Sequence, residues 1–222
     1  MDFAVLIPAY NEADCIGGLL RRLRKYVKPQ DIIVVDDGSS DGTGDIARDF
    51  GVKVLVHPRN RGKGAAQRTG FSYIVEAGYD GVITMDGDGQ HDPDEIPLFI
   101  SKAEEGYDII IGMREGNIST MPLDRYLVNR TTSLVVSLFS GVRVRDSQCG
   151  YRFIRRGVME KVPLSTTKFQ TESEMLIKAS RIGFKIGEVP IRTIYTDTAK
   201  SYIDPVVDTI RFISLSIRSF WR

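Results

Sequence analysis

At 222 residues the chain is long enough to bury a substantial core as one α/β unit, and its length does not call for a second domain. Thirty Lys and Arg against 29 Asp and Glu leave a formal net charge of +1, so bulk charge argues against a nucleic-acid binder and any electrostatic specialisation must be local. The two cysteines, Cys15 and Cys149, have neither metal-site nor disulfide-framework spacing, which fits a reducing, cytoplasmic compartment.

The N-terminal run MDFAVLIPAYNE has no basic leader and meets Pro8 and then charge too early for a signal peptide; it predicts a first β-strand over Ala4 to Ile7. Ile16, Leu19, Leu20 and Leu23 then recur at helical spacing with Arg21, Arg22 and Arg24 on the other face, as expected of a crossover helix. Further β-branched runs at Asp31 to Val35, Lys53 to Val56 and Gly81 to Met85 alternate with helical patterns at Gly64 to Ala77 and Asp94 to Glu105. The second of these helices opens with Pro93 and an acidic first turn. A strand over Ile109 to Gly112 follows. Such alternation predicts an α/β fold with a mostly parallel central sheet and helices on both faces.

The second half is less regular. It predicts a helix from Arg125 to Phe139, a loop around Arg145 to Gly150, a helix near Glu172 to Ile182 and a late strand over Val189 to Tyr195. From Pro205 to Trp221, the residues Val206, Ile210, Ile213, Ile217 and Phe220 fall near one helical face, with Arg211, Arg218 and Arg222 elsewhere. The longest uncharged apolar-leaning stretch, Thr131 to Val142, falls short of the roughly 20 residues a bilayer crossing needs, so no spanning segment is expected. No internal repeat, low-complexity tract or long linker divides the chain, and one unit over residues 1–222 is the expectation.

Ligands of open α/β sheets bind beyond the carboxyl ends of the strands. There this chain gathers Pro8-Ala9-Tyr10-Asn11-Glu12, Asp36-Asp37-Gly38-Ser39-Ser40-Asp41-Gly42 and Asp86-Gly87-Asp88-Gly89-Gln90-His91. In extended backbone, Asp86 and Asp88 point to one side and can share a divalent cation; Mg²⁺ or Mn²⁺ suits a site so sparse in protein ligands, with substrate phosphates completing the shell. A solvated acidic turn is the competing reading. An EF-hand fails, because counting from Asp86 puts His91 where the loop glycine belongs and Pro97 where a bidentate Glu belongs, and counting from Asp37 ends on Arg48. A dinucleotide fingerprint fails as well, since the first strand runs into Pro-Ala-Tyr-Asn-Glu and Gly62-Lys63-Gly64-Ala65-Ala66-Gln67 lacks the last glycine. His57 and His91 stand in separate segments without ligand-like partners and read as surface or hydrogen-bonding residues, with His91 near any cation.

Taken in order, Pro8 to Glu12, Val34-Val35-Asp36-Asp37-Gly38-Ser39, Asn60-Arg61-Gly62-Lys63-Gly64 and Met85 to Pro93 resemble the family 2 inverting glycosyltransferases. More narrowly, they are similar to the dolichol-phosphate mannose synthase and bacterial polyprenyl-phosphate glycosyltransferase group. The likeness continues through Gly112-Met113-Arg114, Asp146 to Arg152 and Ser201 to Phe212, and so covers nearly the whole chain. It implies a GT-A, Rossmann-like fold, with residues 1–115 binding the nucleotide sugar and residues 116–222 the acceptor.

The resemblance further implies that Pro8, Tyr10, Glu12 and Asp37, with Val35 alongside, contact the base and ribose of a GDP- or UDP-sugar. Read alone, Pro8 only ends a strand, Tyr10 only packs and Glu12 only caps a helix. Asp86, Asp88 and Gln90 match the positions around metal and diphosphate, with Gly87 between them, and Arg114 and Arg125 match arginines that touch phosphates; Arg130 joins Arg125 as an acceptor-phosphate candidate. Asp88, Arg114 and Asp146 are the expected catalytic group, Asp146 either shaping the acceptor or sugar pocket or capping its loop. Many relatives carry Lys after the serine matching Ser201, where this chain has Tyr202; Lys200, just before it, is the substitute candidate for the donor diphosphate. Many also append transmembrane helices, and this chain stops at Arg222, so membrane contact is expected to be peripheral or supplied by a partner. The expected reaction is transfer of mannose or glucose to a polyprenyl phosphate; a polysaccharide, protein or small-molecule acceptor, or nucleotide-sugar binding without turnover, are the alternatives.

Overall fold

A computed structural model describes residues 1–114, 123–167, 170–192 and 194, and of residues 123–125 the backbone. Seven strands, β1 (Phe3–Ala9), β2 (Ile32–Asp36), β3 (Lys53–Val56), β4 (Gly81–Thr84), β5 (Ile109–Arg114), β6 (Arg152–Arg155) and β7 (Ile186–Ile191), form one sheet in the order β3-β2-β1-β4-β6-β5-β7. Only β6 runs antiparallel to its neighbours among these pairings. The helices are α1 (Ala13–Leu23), α2 (Thr43–Asp49), α3 (Lys63–Ala77), α4 (Ile96–Glu104), α5 (Leu123–Ser140), α6 (Arg156–Lys161) and α7 (Gln170–Arg181).

Successive residues of β1, β2 and β4 are buried along almost their full length, so both faces of the central strands are covered. That explains their unbroken Val, Ile and Leu runs, in place of the alternation of a half-exposed sheet. α1 buries Ile16, Leu19, Leu20 and Leu23, the stripe its spacing predicts. At about 25 cal/mol per Å² of apolar surface, each such side chain contributes roughly 1.5–3 kcal/mol to the packing.

Within the described residues the expected elements are present, with differences that have physical causes. Asp94 and Glu95 lie in a 3₁₀ turn (Pro93–Glu95), because the Asp92 carboxylate accepts the Asp94 N–H at 3.0 Å and α4 begins only at Ile96. The late strand sits earlier than predicted and runs through Pro190; at the sheet edge a missing N–H is tolerated, since β7 pairs with β5 alone. α2, β6 and α6 are additions to the predicted pattern. The Pro205 to Trp221 pattern, Lys200, Tyr202 and the Arg125 side chain lie outside the described residues. Among the described residues no helix is long and apolar enough to cross a membrane.

From β1 the chain winds outward to β2 and β3, then returns to place β4 on the other side of β1. The carboxyl ends of β1 and β4 therefore diverge into a crevice, the switch point where open α/β sheets take their ligands.

Candidate functional site

The β1 wall of the crevice is stitched to the β2 exit. Asn11 adopts a left-handed φ of 55°, donates its N–H to Ser39 Oγ at 3.0 Å and accepts the Ser40 N–H at 3.0 Å. Glu12 occupies the N-cap position of α1, but its side chain makes no cap bond; its backbone carbonyl accepts from Cys15 and Ile16 instead. Its Cγ lies so near Gly87 that a Cβ there would come within 3.2 Å, so the side chain reaches from the β1 exit to the β4 exit. Pro8 and Val35 are register partners on β1 and β2, both buried, and Tyr10 is half-buried beside them.

Asp37, expected at the base and ribose, also braces the neighbouring loop. It is buried: Oδ1 accepts the Arg61 N–H at 3.0 Å and contacts His57 Nδ1 at 2.6 Å, while Oδ2 accepts the Gly62 N–H at 2.7 Å. The carboxylate thus fixes the turn that leads into α3 and presents Lys63. His57, also buried, is held from its other nitrogen by Thr69 Oγ1 at 2.9 Å, in keeping with a hydrogen-bonding role. Gly38, at φ 77°, lets the β2 exit touch this turn; a Cβ there would stand 2.5 Å from the Arg59 carbonyl carbon.

Beyond β4 the Asp-x-Asp segment is a turn rather than extended strand. Asp88 Oδ1 accepts the Gln90 N–H at 3.0 Å, a local bond that curls the segment and keeps the two carboxylates close enough to interact. Burial, and then the Asp86 charge, push the Asp88 carboxyl above its usual range. Burial also opposes ionisation of Asp86, yet the Lys63 ammonium, with His91 and Arg114, outweighs it and holds that carboxyl down to about 2. Lys63 Nζ lies 2.6 Å from Asp86 Oδ1 and 2.8 Å from Glu172 Oε1. Burial alone would lower the Lys63 pKa; the two carboxylates raise it instead, so the ammonium persists. His91 Nδ1 accepts the Asp86 N–H at 3.1 Å, its Nε2 stands 4.0 Å from Asp86 Oδ2, and its ring stacks on Tyr151. Burial keeps His91 toward its neutral form against the pull of both aspartates.

The opposite wall is the loop leading into β6. Gly150 packs directly on the ion pair, and a Cβ there would stand 2.7 Å from Asp86 Oδ1 and 2.8 Å from Lys63 Nζ. Asp146, buried in the same loop, accepts from Arg114 Nε at 2.6 Å and Nη2 at 2.9 Å. Its carboxylate therefore pairs in a two-pronged fashion with the arginine at the end of β5. Ser147 N–H donates to Ser133 Oγ at 3.0 Å, which ties the loop to α5. Arg130, on α5, is exposed.

Among the described residues, no group of three or more His, Cys, Asp or Glu is arranged to hold a metal ion. The charge pattern nevertheless suits a hard dication that takes one or two carboxylates and leaves its other positions to water and phosphate. Asp86 is firmly ionised, and Asp88 is disfavoured as an anion chiefly by burial and by Asp86, so a shared positive charge would relieve both. Gln90 contributes its backbone to the turn, its carbonyl accepting the Ile194 N–H at 3.0 Å.

Lys63 and Glu172 were not singled out by the sequence reading, although Lys63 lies in one of the recognised motifs. Glu172 is 4% exposed at the start of α7, where the sequence shows only an acidic residue in a polar first turn, the pattern of an ordinary exposed helix start. Gln67, one turn into α3, donates to it at 3.3 Å.

Residues 4–162 match the sequence profile described as Glycosyl transferase family 2. The chain is 32% identical over 212 residues to the undecaprenyl-phosphate mannosyltransferase of Micrococcus luteus, across 90% of this chain and 87% of that protein. It is 33% identical over 216 residues to the UDP-N-acetylglucosamine–dolichyl-phosphate N-acetylglucosaminyltransferase of Methanococcus voltae, across 87% and 86% of the two chains. Among solved structures, glucosyl-3-phosphoglycerate synthase from Mycobacterium tuberculosis, in complex with Mn²⁺, UDP and glucosyl-3-phosphoglycerate, has the same fold: TM-score 0.77 at 20% identity, covering 98% of this chain and 79% of that one.

Proposed function

The chain belongs to the family 2 glycosyltransferases and has their GT-A fold, and from that premise we propose that it transfers a hexose, mannose or glucose, from a GDP- or UDP-sugar to a polyprenyl phosphate with inversion. The observation that carries this reading is the convergence of Asp86, Asp88, Lys63, Arg114 and Asp146 on the β1/β4 switch point. Residues 1–115 hold the donor, with Pro8, Tyr10, Glu12 and Val35 against base and ribose and Asp37 acting through the turn it fixes. Asp86, Asp88 and Gln90, with Gly87 between them, hold Mg²⁺ or Mn²⁺, which when bound supplies positive charge against the departing diphosphate. Lys63, Arg114 and Lys200 add fixed positive charge at the same end of the donor.

Residues 116–222 form the acceptor side, with Arg125 and Arg130 toward the acceptor phosphate. A phosphate monoester is already largely ionised near neutral pH, with a second pKa of about 6, so its attack on the anomeric carbon requires positioning more than proton removal. The pairing in the site agrees with that requirement: Asp146 is engaged by Arg114, and Glu172 by Lys63 and Gln67, so neither is a free base. A sugar or protein hydroxyl as acceptor would need one. The exposed Leu127, Leu134 and Leu138 share the outer side of α5 with Arg130, a composition that suits an anionic lipid surface and supports peripheral contact at the cytoplasmic face.

Incubation with radiolabelled GDP- and UDP-sugars, a polyprenyl phosphate and Mg²⁺ or Mn²⁺ tests the reading. Label should pass into the organic phase, stop with chelator and be lost in Asp88→Ala. Label transferred only to a water-soluble acceptor would overturn the lipid assignment, and donor binding without any product would overturn turnover itself.

A further inference from the structure

Arg152 opens β6 in the middle of the sheet, opposite Thr84 of β4 and Ile111 of β5, and is the bulkiest fully buried side chain among the described residues, at 1% exposure. A guanidinium removed from water is tolerated only where its donors are met. Here Nε donates to the Cys149 carbonyl at 2.7 Å, Nη2 to the Ser147 carbonyl at 2.7 Å and Nη1 to the Glu172 carbonyl at 2.8 Å. Two of these acceptors belong to the loop before β6, and the third to the first turn of α7.

Each attachment point bears on the site. The loop carries Asp146, which grips Arg114, and ends at Gly150, which packs on Asp86 and Lys63; Glu172 grips Lys63 from the α7 side. We propose that Arg152 is a positioning residue for sugar transfer: its planar fork locks the 146–150 loop to α7 and so sets where Arg114 and Lys63 stand relative to Asp86. Charge alone does not meet the requirement. The three acceptors are reached by three separate nitrogens in one rigid plane, and a lysine offers a single nitrogen on a flexible stem.

The inference rests on the proposed transferase reaction, so its test has one arm that does not depend on turnover. Arg152→Lys and Arg152→Ala are compared with wild type and with Ile154→Ala, a buried-core variant on the same strand that serves as the control for lost stability, melting temperatures being measured for all. In the first arm, hydrogen exchange is followed in the free protein. Amides of residues 146–150 should exchange faster in Arg152→Lys than in Ile154→Ala, while those of β1 and β2 stay protected.

In the second arm, kcat for transfer should fall on the order of 100-fold in Arg152→Lys, with donor KM nearly unchanged, as expected when reacting groups are misplaced by an ångström or less. Guanidinium below denaturing concentrations should restore much of the loss in Arg152→Ala, and methylammonium should not. A kcat in Arg152→Lys equal to that of Ile154→Ala would overturn the proposal, as would unchanged loop exchange. If wild type transfers no sugar, the functional reading fails and the exchange arm alone decides whether Arg152 positions the loop.

Discussion

Replacing Lys63 by Met separates the two demands placed on this side chain. The ammonium sits between Asp86 and Glu172, but the carboxylates are not equivalent, since Asp86 is 30% exposed and Glu172 only 4%. Without Lys63, Asp86 can recover water, whereas the buried Glu172 carboxylate keeps only Gln67 at 3.3 Å and, less directly, the Arg152 guanidinium bonded to its backbone carbonyl. Removing one partner of a buried pair costs about 3–5 kcal/mol, mostly for the charge left behind, so Lys63→Met should lose that much. Glu172→Gln alone should lose about 1–2 kcal/mol, because Lys63 keeps Asp86 and a side-chain amide still accepts from Gln67. The double variant should then be more stable than the sum of the losses allows, with a coupling of about 2 kcal/mol. Urea unfolding of all four proteins, followed by circular dichroism with chelator present, measures this directly. Losses that add to within about 0.5 kcal/mol would refute the assignment of the cost to Glu172. The repaired double variant should still fail to transfer sugar, since stability is recovered without the positive charge beside Asp86.

Glu174 gives a pH signature. Burial disfavours its charge, but Lys178 at 2.6 Å and the hydroxyls and N–H groups of Ser165 and Thr166 outweigh that and hold the carboxyl at about 2, against an ordinary 4.5. A depressed carboxyl stabilises above its unfolded value and loses that contribution as pH falls toward its folded one; the penalty of Glu174→Gln should therefore shrink from about 3 kcal/mol at pH 7 to about half that near pH 3, read from urea midpoints. Gly150→Ala forces a methyl against Asp86 and Lys63, and transfer assays should show kcat reduced on the order of 10- to 100-fold while far-ultraviolet circular dichroism is preserved. Asp37→Asn removes an acceptor from the Arg61–Gly62 turn and should cost about 1–3 kcal/mol in urea unfolding, with a raised donor KM.

The elements legible in the sequence are those whose burial leaves a local trace. β1, β2 and β4 read as apolar runs because both their faces are covered, and α1 reads as a stripe because one face is. β6 escapes such reading: its four residues, Arg-Phe-Ile-Arg, begin with a charge that is buried only because carbonyls of the preceding loop and of the start of α7 converge on it. α2 is seven residues long, too short to establish a period. At the site, the Asp86–Asp88 pair is visible as a motif, but its geometry comes from a side-chain-capped turn rather than from extended backbone. Glu172 could not be joined to Lys63 from sequence, because the α3–α7 approach that brings Gln67 to it spans 105 residues of separation. Asp37 shows the converse case: its motif is plain in the sequence, but its bonds to His57 and to the turn before α3, 20 to 25 residues away, are not.

The reversed direction of β6 has a consequence for how the molecule can diversify. In a wholly parallel sheet, the edge that holds the ligand is lined only by segments that have just left a strand, each committed to starting the next crossover helix. A strand laid in backwards delivers the segment that precedes it to that same edge, and here this segment, residues 141–151, comes from α5 and owes nothing to the winding of β1 to β4. Residues 146–150 of it are held by Arg114, Arg152 and the Asp86–Lys63 pair, but none of those contacts enters the register that aligns Pro8 with Val35. The two walls of the crevice are thereby built by separate stretches of chain, so a change in the fold of one need not displace the other.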